Sequence, residues 1–361
     1  MKIALRAAAV AVVPALLLGL GASSAIGAVA HPGAAASAPA RFEPVSASFV
    51  SGRTGFVLGA RGCANLSCSA RLVRTANGGR TWTAVHTPSV PLVGTYTASP
   101  RFAVHAVRFA DSRDGWLFGP GLWATHDGGG HWQRMYLPGM VTAVAASDGV
   151  AFASLSPYGG GHSRLYESRV ATNRWTLVPG VVPAGALTLY GHAGWAGAAP
   201  GLWATTDLRH WHKLSFSCSP YTFGNLAAGT RTRIMVLCVG NGAAGSASKM
   251  IYASANGGRT FFKAGPAPFQ GSSGVIAIPP GRPQIVTLAA RGGASLLDRS
   301  VNGGRTWTWV QYDDGGIGWR DLAYVTPAIG WVIHGDVGNL TRNGLMRTVN
   351  AGATWYNITI R

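Results

Sequence analysis

The hexapeptide NGGRTW occurs at residues 77–82 and again at 302–307, with NGGRTF at 256–261 between them. A catalytic loop is needed once, whereas a turn that closes a structural unit is needed once per unit, so the recurrence points to a repeat architecture. Asn-Gly and Gly-Gly supply the positive φ angles of tight two-residue hairpin turns, and the flanking Thr and Trp favour a pleated, half-buried strand. The hexapeptide therefore reads as the tip of a β-hairpin.

Looser copies appear in the frame of a Ser or Thr followed seven residues later by an aromatic. TANGGRTW (75–82), THDGGGHW (125–132), SANGGRTF (254–261), SVNGGRTW (300–307) and TVNAGATW (348–355) fit it. SRVATNRW (168–175) has lost its glycines, and TTDLRHW (205–211) is one residue short. The series of aromatics is Trp82, Trp132, Trp175, Trp211, Phe261, Trp307 and Trp355, spaced by 50, 43, 36, 50, 46 and 48 residues. The turn position carries Asn77, Asp127, Asp207, Asn256, Asn302 and Asn350, with Val170 in the third copy.

Each unit holds further strand signals. A Gly-aromatic run recurs in TGFVLG (54–59), DGWLFG (114–119), AGWAGA (193–198) and IGWVIHG (329–335), preceded by alternating stretches such as AVHAVRFAD (103–111), VTAVAASD (141–148) and DLAYVTP (321–327). Four short strands in about 40–50 residues make a β-propeller blade. The predicted fold is all-β, a single seven-bladed propeller of four-stranded antiparallel blades over 43–361, closing without a strand lent by the N-terminus. The hairpin aromatics suit the spaces between blades.

The first thirty residues read as an export signal: Lys2 and Arg6 precede the apolar run 7–20, and Ala28-Val29-Ala30 offers a cleavage site. An uncleaved anchor is the competing reading, but the apolar run is broken by Pro14 and short for a membrane span. Residues 31–42 are expected to form a low-complexity, disordered lead-in. The four cysteines lie in the exported part, and the expected disulfides are Cys63–Cys68, stapling a loop, and Cys218–Cys238, clamping neighbouring strands. The chain is then extracellular, periplasmic or envelope-associated, with no membrane span once the signal is removed.

The formal net charge is +18, from 30 Lys and Arg against 12 Asp and Glu, spread without long runs. A solvated basic surface accounts for this; a specific anionic partner is the sharper alternative. With no recognition module, nucleic acid is not an expected partner. Proteins and anionic cell-wall or glycan polymers are, and a monomer is expected.

The pattern Ser/Thr-x-Asp/Asn-x-Gly-x-Thr-Trp resembles the Asp-box, or bacterial neuraminidase repeat, of sialidases and sortilin-type receptors. Coupled with Gly-Trp-x-x-Gly, it is most similar to the photosystem II stability and assembly factor family and its non-photosynthetic relatives. The resemblance covers about 43–361 and implies a propeller; proteins with such repeats include enzymes, receptors and chaperones. Asn in place of Asp at four turns preserves turn bonding and removes any ring of carboxylates.

Glycoside hydrolysis needs two carboxylates about 5–10 Å apart. The stock is small, and Asp111, Asp114, Asp127, Asp148 and Asp207 fall in turn contexts. Asp313-Asp314, before Gly315-Gly316, reads as a loop between blades six and seven that could hold a carboxylate over the ring. Tyr166-Glu167, the sole Tyr-Glu pair, is expected at an outward rim position, and a sialidase's Arg-Ile-Pro segment is missing from blade one. His210 and His212, or His126 with His131, are close enough to suggest metal ligation but lack a third ligand. The expectation is a non-enzymatic exported binding or assembly scaffold without cofactor, metal or catalytic residues, with a glycan-cleaving hydrolase as the alternative.

Overall fold

The computed structural model describes residues 41–361 apart from 64–67, 93–99, 182–184, 199–200, 294, 314–317 and 336–341. The described part contains seven four-stranded antiparallel sheets and no α-helix. In sequence order the blades span 42–85, 106–135, 140–177, 186–214, 222–267, 273–313 and 319–358. All seven sheets run in strict sequence order from inner to outer strand, as expected for a meander.

The inner strand of each blade faces its counterparts: β1 (Phe42–Phe49), β5 (Ala106–Phe109), β9 (Met140–Ser147), β13 (Ala186–Tyr190), β17 (Thr222–Ala228), β21 (Ser273–Ala277) and β25 (Trp319–Tyr324). Blade seven meets blade one directly, and each is built wholly from consecutive strands, so the ring closes without a borrowed strand.

The core is partitioned accordingly, with one apolar cluster between each neighbouring pair of blades. The Gly-aromatic strands supply its largest members: Phe56, Trp116, Trp195 and Trp331 are all but fully buried. Closure is sealed by Trp331 of blade seven stacked on Phe49 of blade one, with ring centroids 3.6 Å apart. Burying a side chain of this size stabilises by roughly 2–3 kcal/mol, which makes each interface a substantial share of total stability.

The repeated hexapeptide connects the third and fourth strands of a blade, and it is longer than a two-residue turn. In blade one seven residues separate Thr75 from Thr83, the ends of the flanking strands. The loop is knitted by side chains. Asn77 Oδ1 accepts from Thr75 Oγ1 and Thr81 N, Asn77 Nδ2 donates to Thr81 Oγ1, and Gly79 N donates to Thr75 Oγ1. The same set recurs around Asn256, Asn302 and Asn350, and Asp127 and Asp207 accept in the corresponding way. Gly78 and Gly79 have φ of +76° and +88°, so the glycines are needed as expected, for a different turn. True two-residue hairpin turns occur between first and second strands, as at Asp148-Gly149, where both φ are positive. The third copy departs: Ser168 Oγ bonds to Arg169 O and Thr172 O instead.

Each hairpin aromatic packs into the interface with the preceding blade. Trp82 lies in the cluster joining blades seven and one, Trp132 in that of one and two, Trp175 in that of two and three, and Trp211 in that of three and four. Phe261, Trp307 and Trp355 continue the series.

Candidate binding surface at the channel mouth

The inner strands leave one edge facing the axis, where backbone N–H groups have no strand partner. An unpaired buried N–H is costly, so polar side chains supply the missing acceptors. Bulges aim them: the β1 register slips between Pro44 and Ser46, β17 between Phe223 and Asn225, and β25 between Arg320 and Ala323. Ser46 Oγ accepts from Val107 N at 3.0 Å, Ser48 Oγ from Phe109 N at 2.8 Å, and Asn225 Oδ1 from Ile276 N at 3.0 Å. Each bond ties one blade to the next.

The most connected of these groups is Asp321. Held at φ +51° in the β25 bulge, it accepts from Ala47 N at 2.6 Å and Ser46 Oγ at 2.5 Å, both in blade one. Its Oδ1 receives Arg108 Nη2 of blade two at 2.6 Å. The pair stands between two cavities of about 350 Å³ each, one lined by the starts of the inner strands and the other by their ends.

The first cavity opens among the loops joining second to third strands and one blade to the next. Its polar lining includes His105, Arg108, Asn225, Arg291, Arg320 and Asp321. Gly119, at φ +87°, leaves room for His105: a Cβ there would lie 2.3 Å from the imidazole. Burial pulls the His105 pKa down, opposed by its bond with Gly119 and by Asp321. Arg320 Nη2 donates to Gly335 O. Arg291, half-buried at the end of β22 (Val286–Arg291), has no side-chain partner among the described residues. The lining thus offers cationic donors and one carboxylate, Asp321, already neutralised by Arg108.

The carboxylates singled out in the sequence lie elsewhere. Asp313 is not on a loop: it ends β24 (Thr308–Asp313), is paired with Ser295, is buried, and lies 3.9 Å from His334 Nδ1. Asp314 is outside the described residues. Tyr166 is buried between blades two and three rather than outward on the rim. Its neighbour Glu167 borders a separate cavity with Arg169, Arg174 and Arg209, where burial raises its pKa. Asp127 and Asp207 bond to His131 and His210, each at 2.6 Å, and His126 joins Asp114 to Asn173. Among the described residues no three His, Cys, Asp or Glu side chains converge as metal ligands would.

Both disulfides are present. Cys63–Cys68 closes the loop after β2 (Gly55–Arg61), and Cys218–Cys238 ties the segment entering β17 to β18 (Ile234–Ala243), with Cα separations of 6.2 and 5.6 Å. They are consistent with an oxidising, exported location. Among the described residues no helix is long and apolar enough to cross a membrane.

No protein-family model matches the chain, and no curated protein matches it in sequence. Solved structures do match in fold. One described as YCF48 bound to D1 peptide has a TM-score of 0.54 at 18% identity, covering 86% of this chain and 93% of that one. The GH74 xyloglucanase of Xanthomonas campestris has a TM-score of 0.60 at 12% identity, covering 89% of this chain and 55% of that one. A prolyl endopeptidase structure gives 0.56 at 13%, covering 88% and 49%. This chain spans about half the length of the latter two, and at such identities the likeness is one of fold: the chain is a seven-bladed β-propeller.

Proposed function

We propose that this protein is an exported, non-enzymatic binding or assembly scaffold of the Asp-box propeller type. Residues 1–30 serve as a cleaved signal, and the propeller acts as a monomer. The hairpins around Asn77, Asp127, Asp207, Asn256, Asn302 and Asn350 are structural, and the face bearing the channel mouth holds a protein or an anionic polymer. The observation that carries this reading is the composition of the mouth: Arg108, Arg291 and Arg320 gather there with one carboxylate, itself bonded to Arg108. Such a lining attracts anions and offers a glycosidic bond no second carboxylate among the described residues. The peptide-bound propeller of similar build is a precedent for ligand capture without requiring chemistry.

The test is a titration of the purified protein with an acidic polymer and an acidic peptide, wild type against Arg291→Gln. Saturable, salt-sensitive binding that weakens in the variant supports the scaffold. Release of shorter sugars by wild type identifies a hydrolase, the alternative function, and rejects it.

A further inference from the structure

On the mouth-side face, around the junction of blades two and three, three aromatic side chains and a methionine stand in solvent. Phe102 is 36% exposed, Tyr136 80%, Met140 39% and Tyr158 39%. Other exposed apolar side chains lie on outer strands, such as Leu177, Trp309 and Tyr356, or on loops, such as Phe269. Here the rings are grouped by local bonding. Trp123 Nε1 donates to Phe102 O, Gly121 packs under the Phe102 backbone, and Gly139 lies against Ser156 and Pro157, next to Tyr158.

Two arginines are interleaved with these rings. The Arg134 guanidinium lies over both Phe102 and Tyr136, 5.5 and 4.7 Å from their centroids, and Arg101 lies 4.2 Å from that of Tyr158. Neither has a carboxylate or hydrogen-bond partner among the described residues. Stacking on a ring restrains a guanidinium without using its N–H donors, which remain free in the fork that matches a carboxylate.

We infer that this cluster is a binding platform for an acidic polysaccharide, with Tyr136 and Tyr158 stacking on sugar rings and Arg134 and Arg101 pairing with their carboxylates. The inference rests on the scaffold reading and names its ligand. A flat ring face complements the C–H face of a pyranose, and free guanidinium forks complement uronate carboxylates. An acidic peptide would pair with the same arginines, and it is the exposed rings beside them that favour a sugar; peptide capture by strand addition would need an extended sheet edge. The outer strand here, β8 (Gln133–Met135), has three residues, too few for strand addition. The surplus of 30 cationic over 12 anionic side chains extends the complementarity beyond the cluster.

The experiment is calorimetry and affinity electrophoresis of the purified protein with polygalacturonate, neutral dextran and poly-L-glutamate, for wild type, Tyr136→Ala, Arg134→Gln and Arg134→Lys. Wild type should bind polygalacturonate in preference to both others. Tyr136→Ala and Arg134→Gln should each weaken binding by about tenfold or more, as expected for loss of a charge-assisted contact or a stacked ring, with Arg134→Lys in between. Circular dichroism checks that these surface variants remain folded. Equal binding by all four proteins, equal binding of poly-L-glutamate, or no polygalacturonate binding would overturn the inference. Reducing-end release on the same mixtures distinguishes the two levels: cleavage of the polymer rejects the scaffold itself, while absence of both binding and cleavage rejects only the glycan platform.

Discussion

Asp321 of blade seven and Arg108 of blade two meet at 2.6 Å across blade one, whose Ser46 and Ala47 bond to the same carboxylate. One side chain therefore links three consecutive blades at the seam where the first and last blades close the ring. Asp321 is 10% exposed and Arg108 37%, so the pair is partly screened.

Removing the acid leaves Arg108 and the Ala47 N–H without their acceptor. Asp321→Ala is expected to lower stability by about 2–3 kcal/mol, below the full cost of breaking a buried pair because Arg108 reaches solvent. Urea unfolding measures this. Arg108→Met in the Asp321→Ala background should cost little more, a coupling that a double-mutant cycle reads directly.

The hairpins respond to substitution according to their bonds. Asn302 Oδ1 accepts from Ser300 Oγ, Arg305 N and Thr306 N, and its amide donates to Thr306 Oγ1, so Asn302→Ala should destabilise by about 1–2 kcal/mol. Asp127 adds a pH signature. Bonds from the His131 backbone and ring and from Thr125 hold its pKa far below the ordinary carboxylate value. A depressed acid stabilises above its unfolded pKa, so the advantage of wild type over Asp127→Ala should be present at neutral pH and shrink as pH falls below about 4. Thermal melts across that range check it; a constant difference would contradict it.

Asp298 shows the opposite sign. It lies buried in β23 (Ser295–Ser300), where burial raises its pKa from 3.8 to about 6 and the charge of Lys249 opposes the rise. Lys249 Nζ is itself held among the carbonyls of Ala247, Pro268, Phe269 and Gln270 at 2.9–3.1 Å. An acid with a raised folded pKa binds its proton more tightly when folded, so wild type should lose stability as pH rises from about 4 through about 6. Relative to Asp298→Asn, that loss should reach about 2–3 kcal/mol by pH 7. Denaturant midpoints of both proteins at pH 4 and pH 7 measure the difference.

The disulfides separate by the loops they close. Cys218–Cys238 spans 20 residues and Cys63–Cys68 five. Cys218→Ser with Cys238→Ser should therefore cost about 2–4 kcal/mol, and the paired serine variant of the shorter loop less. Melting temperatures rank the two, and intact mass of the exported protein reports oxidation at all four cysteines and loss of residues 1–30.

The blades were legible because their signals are local. Thr75, Asn77 and Gly79 bond within one loop, so recurrence in the sequence translates into recurrence of a unit, although the length of that loop was not evident from its glycines. The disulfide partners were similarly close along the chain. The channel mouth was not legible. Asp321 and Arg108 are 213 residues apart and meet through a bulge, and DLAYVTP read as an alternating strand gives no sign of the slip between Arg320 and Ala323. Asp313 misled for a related reason: Asp-Asp-Gly-Gly suggests a loop, whereas pairing with Ser295 carries the strand through the first aspartate.

The central claim is that the arginine-lined face captures an anionic ligand and leaves it intact. Mass spectrometry of polygalacturonate fragments and acidic peptides after prolonged incubation with wild type, alongside measured binding, tests it most directly. The expected result is saturable binding, reduced in Arg291→Gln, with every ligand recovered at its original mass. Products of lower mass that form with wild type and fail to form with a folded Asp321→Asn variant would contradict it.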